Sequence, residues 1–480
     1  MKDIIIIGAG VIGCAIAREL SRYNLKILLL EKLDDVSLGS SKANSGIVHG
    51  AYSAKYGTLK GEMCKKGNSM YEQLDKELNF GFRKTGSLTL AFNEEQMEEL
   101  KKLLDNGIKQ GEEGLRILSR EEILSIEPNI GPEVLAGLHS QSVGVCSPYE
   151  ATIALAENAI LNGVELKLNS EVISIKKEND YFEVETSKEK YKGKKVINCA
   201  GVYSDIIAGL IGNDSFSVKP RKGQYILLGK DQGDLVNTVV FQAPTKMGKG
   251  VLVVKTFHGN CMIGPDAIDI EDREDKDTSI DELEKMIETA RKSIPSFNIK
   301  RSLTTFSGIR ACSDKGDFII EESSVKGFIN VAGIESPGLT SAPAIAQRVS
   351  EILIDSGLKL DINENFNPFR KGIIIKKDED FSGKIDHEDD SLNIICRCEK
   401  VTKKEILDSF SRGIDFNTTD GVKRRTRAGM GDCQGHFCRP RVKNIISLLK
   451  EINMEEVKVR SEKEGKTNRV PINDIRKIDK

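Results

Sequence analysis

The stretch IIIIGAGVIG at residues 4–13 decides how the N-terminal part of this chain folds. A run of β-branched residues from Ile4 to Ile7, bounded by glycine, is typical of a parallel strand that is buried on both faces. Residues 11–22 then place apolar side chains at helical spacing, and residues 26–30 form a second short apolar run. The pattern predicts a strand, a helix and a second strand, the opening of a Rossmann-type α/β unit.

Three glycines at Gly8, Gly10 and Gly13 lie between the first predicted strand and its helix. Glycine at these positions permits a tight turn, close approach to a pyrophosphate and close packing of helix on strand. Glu31 ends the second predicted strand, where a carboxylate accepts hydrogen bonds from ribose hydroxyls. The sequence therefore predicts a dinucleotide site, and this motif alone leaves both FAD and NAD open.

The composition is that of a globular protein of several domains. The chain has 480 residues, of which 39% are hydrophobic and 30% are charged. Its 71 Lys and Arg residues nearly balance its 73 Asp and Glu residues, so no overall field favours nucleic acid or an anionic membrane. The first apolar run is too short to span a membrane. The ten cysteines are thinly spread, unlike those of the disulfide framework of a small secreted protein. We expect a cytoplasmic protein, or one held peripherally at a membrane by a partner.

The middle of the chain has mixed α+β character. Residues 94–106 and 279–294 are strongly helix-forming, whereas residues 166–185 and 224–263 alternate like strands broken by turns. Residues 366–391 lose apolar periodicity and include the acidic cluster His387-Glu388-Asp389-Asp390, which predicts a linker.

Three further segments resemble one family. They are SSKANSG at residues 40–46, VINCAG at 196–201 with Asp205 following, and FINVAGIESPGLT at 328–340. With the glycine motif they make the chain similar to the D-amino-acid-oxidase-like FAD oxidoreductases, in the branch of glycerol-3-phosphate dehydrogenases and L-2-hydroxyglutarate oxidases. The resemblance implies that FAD is bound by Gly8, Gly10, Gly13, Glu31, Ser40, Ser41, Asn44, Ser45, Val172, Ala200, Gly201, Asp205, Gly333, Pro337, Gly338, Leu339 and Thr340.

The same resemblance implies a discontinuous arrangement of domains. Residues 1–50, 145–220 and 305–365 are expected to form a Rossmann-type FAD-binding domain. Residues 51–144 and 221–304 are expected to form an interleaved substrate-binding domain built on an antiparallel sheet.

Three side chains are candidates for the substrate side. Arg310 matches the family position whose arginine binds an anionic substrate group, although an isolated arginine is more often a surface residue. Lys255 either adds a second positive charge to the substrate site or protects an edge strand against aggregation. His49 follows the flavin loop and is the candidate base for the substrate hydroxyl, its alternative being a packing role. Ala43 occupies a place where hydroxyglutarate-oxidising relatives commonly have histidine, which weakens that reading.

The closely paired cysteines lie near the end of the chain, as Cys396-x-Cys398 and Cys433 with Cys438. Four thiolates bind either zinc or a [2Fe–2S] cluster, and structural zinc usually prefers a two-residue spacer within each pair. The surrounding residues resemble the bacterioferritin-associated-ferredoxin-like domain, which implies a [2Fe–2S] cluster held by all four cysteines. A small helical domain is expected over residues 392–455, followed by a tail at 456–480.

A basic run, Lys423-Arg424-Arg425 with Arg427, adjoins the second cysteine pair. It offsets the charge of the cluster, forms a docking face for an electron partner, or is simply a solvated loop.

Together these features predict a dehydrogenase that oxidises sn-glycerol 3-phosphate to dihydroxyacetone phosphate. FAD is expected to take the hydride, and the [2Fe–2S] cluster to pass electrons to a partner protein or a second flavoprotein subunit. The alternatives are an L-2-hydroxyglutarate or amino-acid dehydrogenase, and a non-catalytic scaffold in which flavin and metal only stabilise the fold.

Overall fold

The structure is a computed structural model that describes residues 1–244, 250–375, 377, 381, 383 and 390–478. The strands of these residues are, in chain order, β1 (Lys2–Ile7), β2 (Ile27–Leu30), β3 (Ile47–Val48), β4 (Phe82–Lys84), β5 (Ser87–Ala91), β6 (Arg116–Ser119), β7 (Ala136–Ser140), β8 (Gly144–Cys146), β9 (Glu165–Lys167), β10 (Val172–Lys177), β11 (Phe182–Thr186), β12 (Lys190–Asn198), β13 (Val218–Leu228), β14 (Val239–Gln242), β15 (Leu252–Lys255), β16 (Cys261–Gly264), β17 (Ile268–Asp269), β18 (Ser302–Ser313), β19 (Ile319–Glu322), β20 (Phe328–Ala332), β21 (Ile394–Cys396) and β22 (Val401–Thr402).

The α-helices of the same residues are α1 (Val11–Leu20), α2 (Leu59–Leu78), α3 (Glu94–Lys109), α4 (Arg120–Ile126), α5 (Pro148–Leu161), α6 (Ser204–Gly209), α7 (Ile280–Ser293), α8 (Gly338–Asp355), α9 (Lys403–Phe410), α10 (Thr419–Thr426), α11 (Arg439–Lys450) and α12 (Ile472–Ile475). No helix in the part of the chain described here is long and apolar enough to cross a membrane.

The first sheet confirms the Rossmann-type unit that the N-terminal sequence predicts. Its strands run in the order β10-β11-β12-β1-β2-β9, with β20 beside β12 and β19 beside β20. β1 pairs in parallel with both β2 and β12. Ile4 and Ile6 face the core that contains α1, α5 and α8, whereas Ile5 and Ile7 face a second core on the opposite side. The four-isoleucine run is therefore buried on both faces, which is why it shows no alternation.

The second sheet is interleaved with the first along the chain and is largely antiparallel. Its order is β17-β13-β16-β15-β14-β5-β7-β6, and β18 pairs with the other side of β13 along its whole length. Helix α7 covers one face, where Leu283, Met286 and Ile287 are buried in the core. The other face of β13 and β18 is open toward the first sheet. β18 ends at Ser313, so this sheet extends past residue 305, where the sequence places the boundary.

A small C-terminal unit contains the hairpin β21–β22 and the helices α9, α10 and α11. Its own core includes Ile406, Val422, Val442 and Ile446. Pro440 lies in the first turn of α11, as expected of a residue that lacks the N–H a helix start leaves unpaired. The predicted small helical domain is thus present.

A buried ion-pair cluster attaches this unit to the first sheet. Arg424 and Arg425 of α10 both bind Asp35, which follows β2, at 2.5 and 2.7 Å. The Arg425 guanidinium also lies 3.9 Å from the centre of the Phe416 ring. Burial by itself raises the pKa of the Asp35 carboxyl, but the two arginines more than offset it and hold that pKa below its usual value. The basic run is therefore neither a solvated loop nor an exposed docking face.

The residues on either side of the C-terminal unit also pack against the rest of the chain. In the predicted linker Arg370 is buried and pairs with Glu157 at 2.5 Å, while residues 387–389 of the acidic cluster lie outside the described residues. In the predicted tail Ile475 is buried in the core of the second sheet. The Asn468 N–H donates to Asp277 at 2.6 Å. Residues 468 and 475 therefore bring the end of the described chain back to the second sheet.

We predict that Asp35→Ala lowers the free energy of unfolding of the docked C-terminal unit by about 3–5 kcal/mol, because two buried guanidiniums lose their shared carboxylate. Guanidinium-chloride unfolding checks this. Asp415→Ala is the control, since Asp415 is 88% exposed and its pair with Lys450 contributes no more than about 1 kcal/mol. Equal effects of the two substitutions would show that the ion pair does not hold the unit in place.

Candidate active site

One cavity of about 1030 Å³ is lined by residues of both large sheets. It brings together most of the side chains that the sequence singles out. The predicted residues that line it are Gly8, Gly10, Glu31, Ser40, Ser41, Asn44, Ser45, His49, Val172, Ala200, Gly201, Arg310, Pro337, Gly338 and Leu339.

The glycine turn at the start of α1 has no room for side chains. Gly8 has a φ of +103°, and a Cβ on it would lie 2.5 Å from the carbonyl oxygen of Cys199. A Cβ on Gly13 would lie 1.9 Å from the carbonyl oxygen of Gly8. Gly8 therefore makes the turn and Gly13 permits the close packing of helix on strand, as the sequence predicts.

The N-terminus of α1 opens into the cavity, and its N-cap residue, Gly10, supplies no side-chain cap. Ser41 accepts a hydrogen bond from the Val11 N–H at 2.9 Å. The Glu31 carboxylate, at the end of β2, accepts from the N–H groups of Ala9 at 2.8 Å and Leu33 at 2.9 Å. An open helix N-terminus beside a half-buried carboxylate is a fit for the pyrophosphate and ribose of a dinucleotide.

A second helix N-terminus meets the same cavity at Gly338, where α8 begins without a side-chain cap. Thr340 in its first turn is buried, and its hydroxyl accepts a hydrogen bond from the His49 N–H at 2.9 Å. The His49 ring lies 5.9 Å from the Phe241 ring, and its Nε2 is 3.5 Å from the Ser336 hydroxyl. His49 is thus held at the junction of the helix start and the second sheet.

Thr340, Gly13 and Gly333 are not among the described residues that line the cavity. All three lie directly behind it. Gly333 has a φ of +65°, and a Cβ there would be 2.5 Å from the Cβ of Ser313. Their contribution is to hold the backbone that forms the wall.

Asp205 and Lys255 lie away from the cavity lining, contrary to the sequence-based expectation. Asp205 forms a two-pronged ion pair with Arg273, at 2.5 and 2.8 Å, and accepts from the Val218 N–H. The Lys255 ammonium pairs with Asp234, whose side chain is 86% exposed. Asp205 therefore has a structural role, and Lys255 supplies no charge to the cavity.

Arg310 has a neighbour that sequence reasoning missed. Arg221 on β13 is the cross-strand partner of Arg310 on β18, and both line the cavity. Asp269 binds Arg221 through two contacts at 2.5 and 3.3 Å. Arg310 donates to the Asp266 carbonyl at 2.9 Å, and within the described residues no carboxylate is in ion-pair distance of its guanidinium. Like charges that face each other across strands repel, so this pair favours a bound anion.

The four C-terminal cysteines form two pairs that cross between the sequence motifs. Cys398 and Cys433 lie with their sulfurs 3.7 Å apart, and Cys396 is hydrogen-bonded to Cys438. Cys396 and Cys438 are buried, whereas Cys398 is exposed and Cys433 half-buried. The hydrogen bond from Cys438 and the backbone N–H groups of Gly429 and Glu399 lower the pKa of Cys396 to about 6 despite burial.

This arrangement fits two irons better than one metal ion. A single tetrahedral zinc needs its four ligands around one point. Among the residues with described placement, no three His, Cys, Asp or Glu side chains converge in that way. A [2Fe–2S] cluster uses four thiolates, two on each iron, which matches an inner pair and an outer pair.

Comparison with protein families agrees with this site. The FAD dependent oxidoreductase family matches residues 3–352, and the BFD-like [2Fe-2S] binding domain matches residues 394–447. The chain therefore belongs to the FAD-dependent oxidoreductases and carries a C-terminal [2Fe–2S] domain. The predicted resemblance and both predicted cofactors are confirmed.

Individual relatives narrow the comparison. A glycerol 3-phosphate dehydrogenase of Caloramator mitchellensis is 47% identical over 97% of both chains. A glycerol 3-phosphate oxidase of Mycoplasma genitalium is 36% identical over 76% of this chain and 97% of its own length. The dithionite-reduced L-alpha-glycerophosphate oxidase of Mycoplasma pneumoniae with FAD bound has a TM-score of 0.73 at 36% identity, covering 77% of this chain and 98% of that one.

We predict that Gly13→Ala abolishes FAD retention, because its Cβ would force the turn away from the helix N-terminus. Flavin absorbance per protein, and the mass of the cofactor released by heat, measure the effect. Gly209→Ala in α6 is the matched control, since the nearest atom to its Cβ would be 3.8 Å away. Full flavin content in Gly13→Ala, or NAD in place of FAD in the natural protein, would contradict the site.

Proposed function

We propose that this protein oxidises sn-glycerol 3-phosphate to dihydroxyacetone phosphate and that the electrons leave through its C-terminal [2Fe–2S] domain. The observation that carries the proposal is the match, over nearly all of both chains, to a relative named glycerol 3-phosphate dehydrogenase. The cavity supports it independently, because it contains Arg310 for an anion and a histidine for a hydroxyl proton.

The anion end of the cavity suits a single phosphate. Arg310 offers its guanidinium without an ion-paired carboxylate among the described residues, whereas its cross-strand neighbour Arg221 is paired with Asp269. A planar guanidinium donates two parallel hydrogen bonds to phosphate oxygens. L-2-Hydroxyglutarate needs a second anion-binding group, and Arg221 is already neutralised by Asp269. Ala43, where the hydroxyglutarate branch commonly has histidine, also disfavours that substrate.

The chemical step needs a base at the secondary hydroxyl of the substrate. His49 holds a ring nitrogen in the same cavity as Arg310, and its backbone is fixed by Thr340. Neutral imidazole accepts the hydroxyl proton at physiological pH while the carbon–hydrogen bond is broken. FAD, when bound, supplies the hydride acceptor.

The route of the electrons is argued from chain length. The relatives named oxidases match about three quarters of this chain along almost their whole length. That share is too small to include both matched families, which together extend from residue 3 to residue 447. The relative named a dehydrogenase spans both. We therefore assign the additional domain to carrying electrons to an acceptor other than oxygen.

We predict that glycerol 3-phosphate bleaches the flavin absorbance under anaerobic conditions, and that L-2-hydroxyglutarate and amino acids do so far more slowly. Arg310→Lys is expected to lower kcat/KM for bleaching by about 30- to 150-fold, equivalent to about 2–3 kcal/mol, because Lys cannot form the bidentate contact.

Lys255→Met is the control for this experiment, since Lys255 pairs with Asp234 away from the cavity. Its kinetics are expected to stay those of the natural protein. If L-2-hydroxyglutarate bleached the flavin faster than glycerol 3-phosphate, L-2-hydroxyglutarate would be the substrate and the proposal would be wrong. No bleaching by any of these compounds would favour a scaffold role.

A second prediction concerns the cluster. Cys433→Ser leaves anaerobic flavin bleaching intact but abolishes the reduction of a protein acceptor too large to enter the cavity, such as oxidised rubredoxin. Iron analysis and electron paramagnetic resonance of the reduced protein measure the cluster directly. Cys261→Ser is the matched control, because Cys261 is buried in β16 of the second sheet. Stoichiometric zinc without iron, or full rubredoxin reduction by Cys433→Ser, would refute the relay.

A further inference from the structure

Of the two cysteine pairs in the [2Fe–2S] domain, the outer pair lies at the surface and the inner pair is buried in the core of the domain itself. Cys396 and Cys438 have 1% and 3% of their surface exposed, whereas Cys398 is exposed and Cys433 half-buried. Electron transfer between proteins is favoured where a redox centre comes close to the surface. The edge at Cys398 and Cys433 is therefore the natural exit from the domain.

An aromatic ring projects beside this exit. The Phe437 side chain is 77% exposed, although phenylalanine is among the residue types that are most often buried. Its backbone N–H donates to the sulfur of Cys433, so the ring is attached directly to the loop that carries the outer pair. Exposed aromatic residues of this kind are frequent energetic centres of protein interfaces.

Positive charge surrounds the same edge. Arg397, between the first two cysteines, and Arg439 and Arg441, in the first turn of α11, are all exposed. Arg439 donates to the Gln434 carbonyl at 3.1 Å, which holds its guanidinium against the cluster loop. Asp432, an exposed acid next to Cys433, lies 4.0 Å from Arg301, whose nearer partner is Asp231 at 2.6 Å. The edge therefore has a net positive rim around an apolar centre.

This rim is separate from the basic run near residue 424. Arg424 and Arg425 are buried against Asp35, and Arg427 pairs with Glu399 at 2.8 Å. Their charges are neutralised inside the protein and are not available to a partner. The arginines at the exit are exposed, so their charges act on an approaching molecule.

We propose that the cluster face, defined as Arg397, Cys398, Cys433, Phe437, Arg439 and Arg441, is the docking site for a small acidic protein that carries one electron. The proposal rests on the proposed function, since it takes the cluster as the outlet. Each substrate molecule loses two electrons, so two carriers are reduced by one electron each. The hydroxyl proton and the proton derived from the hydride are both released to water.

A carrier fits this face better than a lipid surface does. The apolar part of this face is the Phe437 ring, and the exposed Leu448 and Leu449 of α11 lie at the far end of that helix. Membrane-binding faces instead present several apolar side chains together along an amphipathic helix. Complementary charge around a small apolar contact is the pattern that speeds association and leaves the complex short-lived. A one-electron carrier needs both properties, because it must leave after each transfer.

The test uses the full-length protein with its cofactors, and oxidised rubredoxin as the acidic probe. Phe437→Ala and Arg441→Glu are each expected to weaken rubredoxin binding, measured by calorimetry at low salt, on the order of tenfold or more. Rubredoxin reduction with glycerol 3-phosphate should fall in parallel, and added salt should remove most of the Arg441→Glu effect. Two rubredoxins should be reduced per substrate.

Leu448→Ala is the matched control. Leu448 is 72% exposed on the same helix but lies about 15 Å along its axis from Cys438. Binding and reduction of rubredoxin should not change in this variant. A basic carrier, cytochrome c, should bind the natural protein more weakly than rubredoxin does.

The outcomes separate the docking site from the electron route. If glycerol 3-phosphate fails to reduce the cluster, as read by electron paramagnetic resonance, the proposed route is wrong. If the cluster is reduced but Phe437→Ala and Arg441→Glu bind rubredoxin normally, the docking proposal is overturned while the route stands. Preferential binding of cytochrome c also overturns it. If Phe437→Ala and Arg441→Glu lost binding to phosphatidylglycerol vesicles while their rubredoxin binding was unchanged, the face would be assigned to a membrane instead.

Discussion

The structure depends on a close backbone contact at the start of the first helix. The carbonyl oxygen of Gly8 occupies the place that a side chain on Gly13 would take. This contact lets α1 begin directly at the edge of the first sheet, so its unpaired N–H groups open into the cavity. The parallel strands on either side of β1 then bring Glu31 and Ala200 to the same edge. A dinucleotide site follows from one steric requirement and from the shared direction of three strands.

The second sheet forms the other wall of the cavity. Strands β13 and β18 pair in a register that sets Arg221 opposite Arg310. Asp269 neutralises only the first of them, so the floor of the cavity keeps a guanidinium for an anion. His49 stands at the other boundary, between α8 and Phe241. Arg310 and His49 therefore line the same cavity, as the proposed oxidation of a phosphorylated alcohol would need.

Buried charge, and not a loose tether, joins the iron–sulfur domain to the flavin domain. Asp35 lies only a few residues after Glu31, so the loop that follows the ribose-binding strand also receives Arg424 and Arg425. A shared carboxylate between two buried guanidiniums is costly to break, because either partner alone would leave uncompensated charge in the interior. The inner pair is buried in the core of the small domain itself, and the outer pair lies at its surface.

The first strand and helix, the dinucleotide motif and the two cysteine pairs could be predicted from the sequence, because the residues of each motif are near one another in the chain. The three glycines with Glu31, and the spacing of the cysteines, carry their chemistry in local geometry. Arg310 and His49 were predicted from resemblance alone, and the structure brings them into one cavity. Their roles in catalysis remain predictions.

Which charged side chains line the cavity, and which form buried ion pairs, could not be predicted from the sequence. Lys255 and Asp205 each have a plausible place in the sequence, yet both are taken up by distant partners, Asp234 and Arg273. The basic run near residue 424 resembles an exposed patch but is buried by Asp35, and Arg221 joins the site only through strand register. A charged side chain has the same local pattern whether it faces solvent, an ion-pair partner or a substrate. Which of these it faces depends on contacts between residues far apart in the chain, and a local sequence pattern does not contain that information.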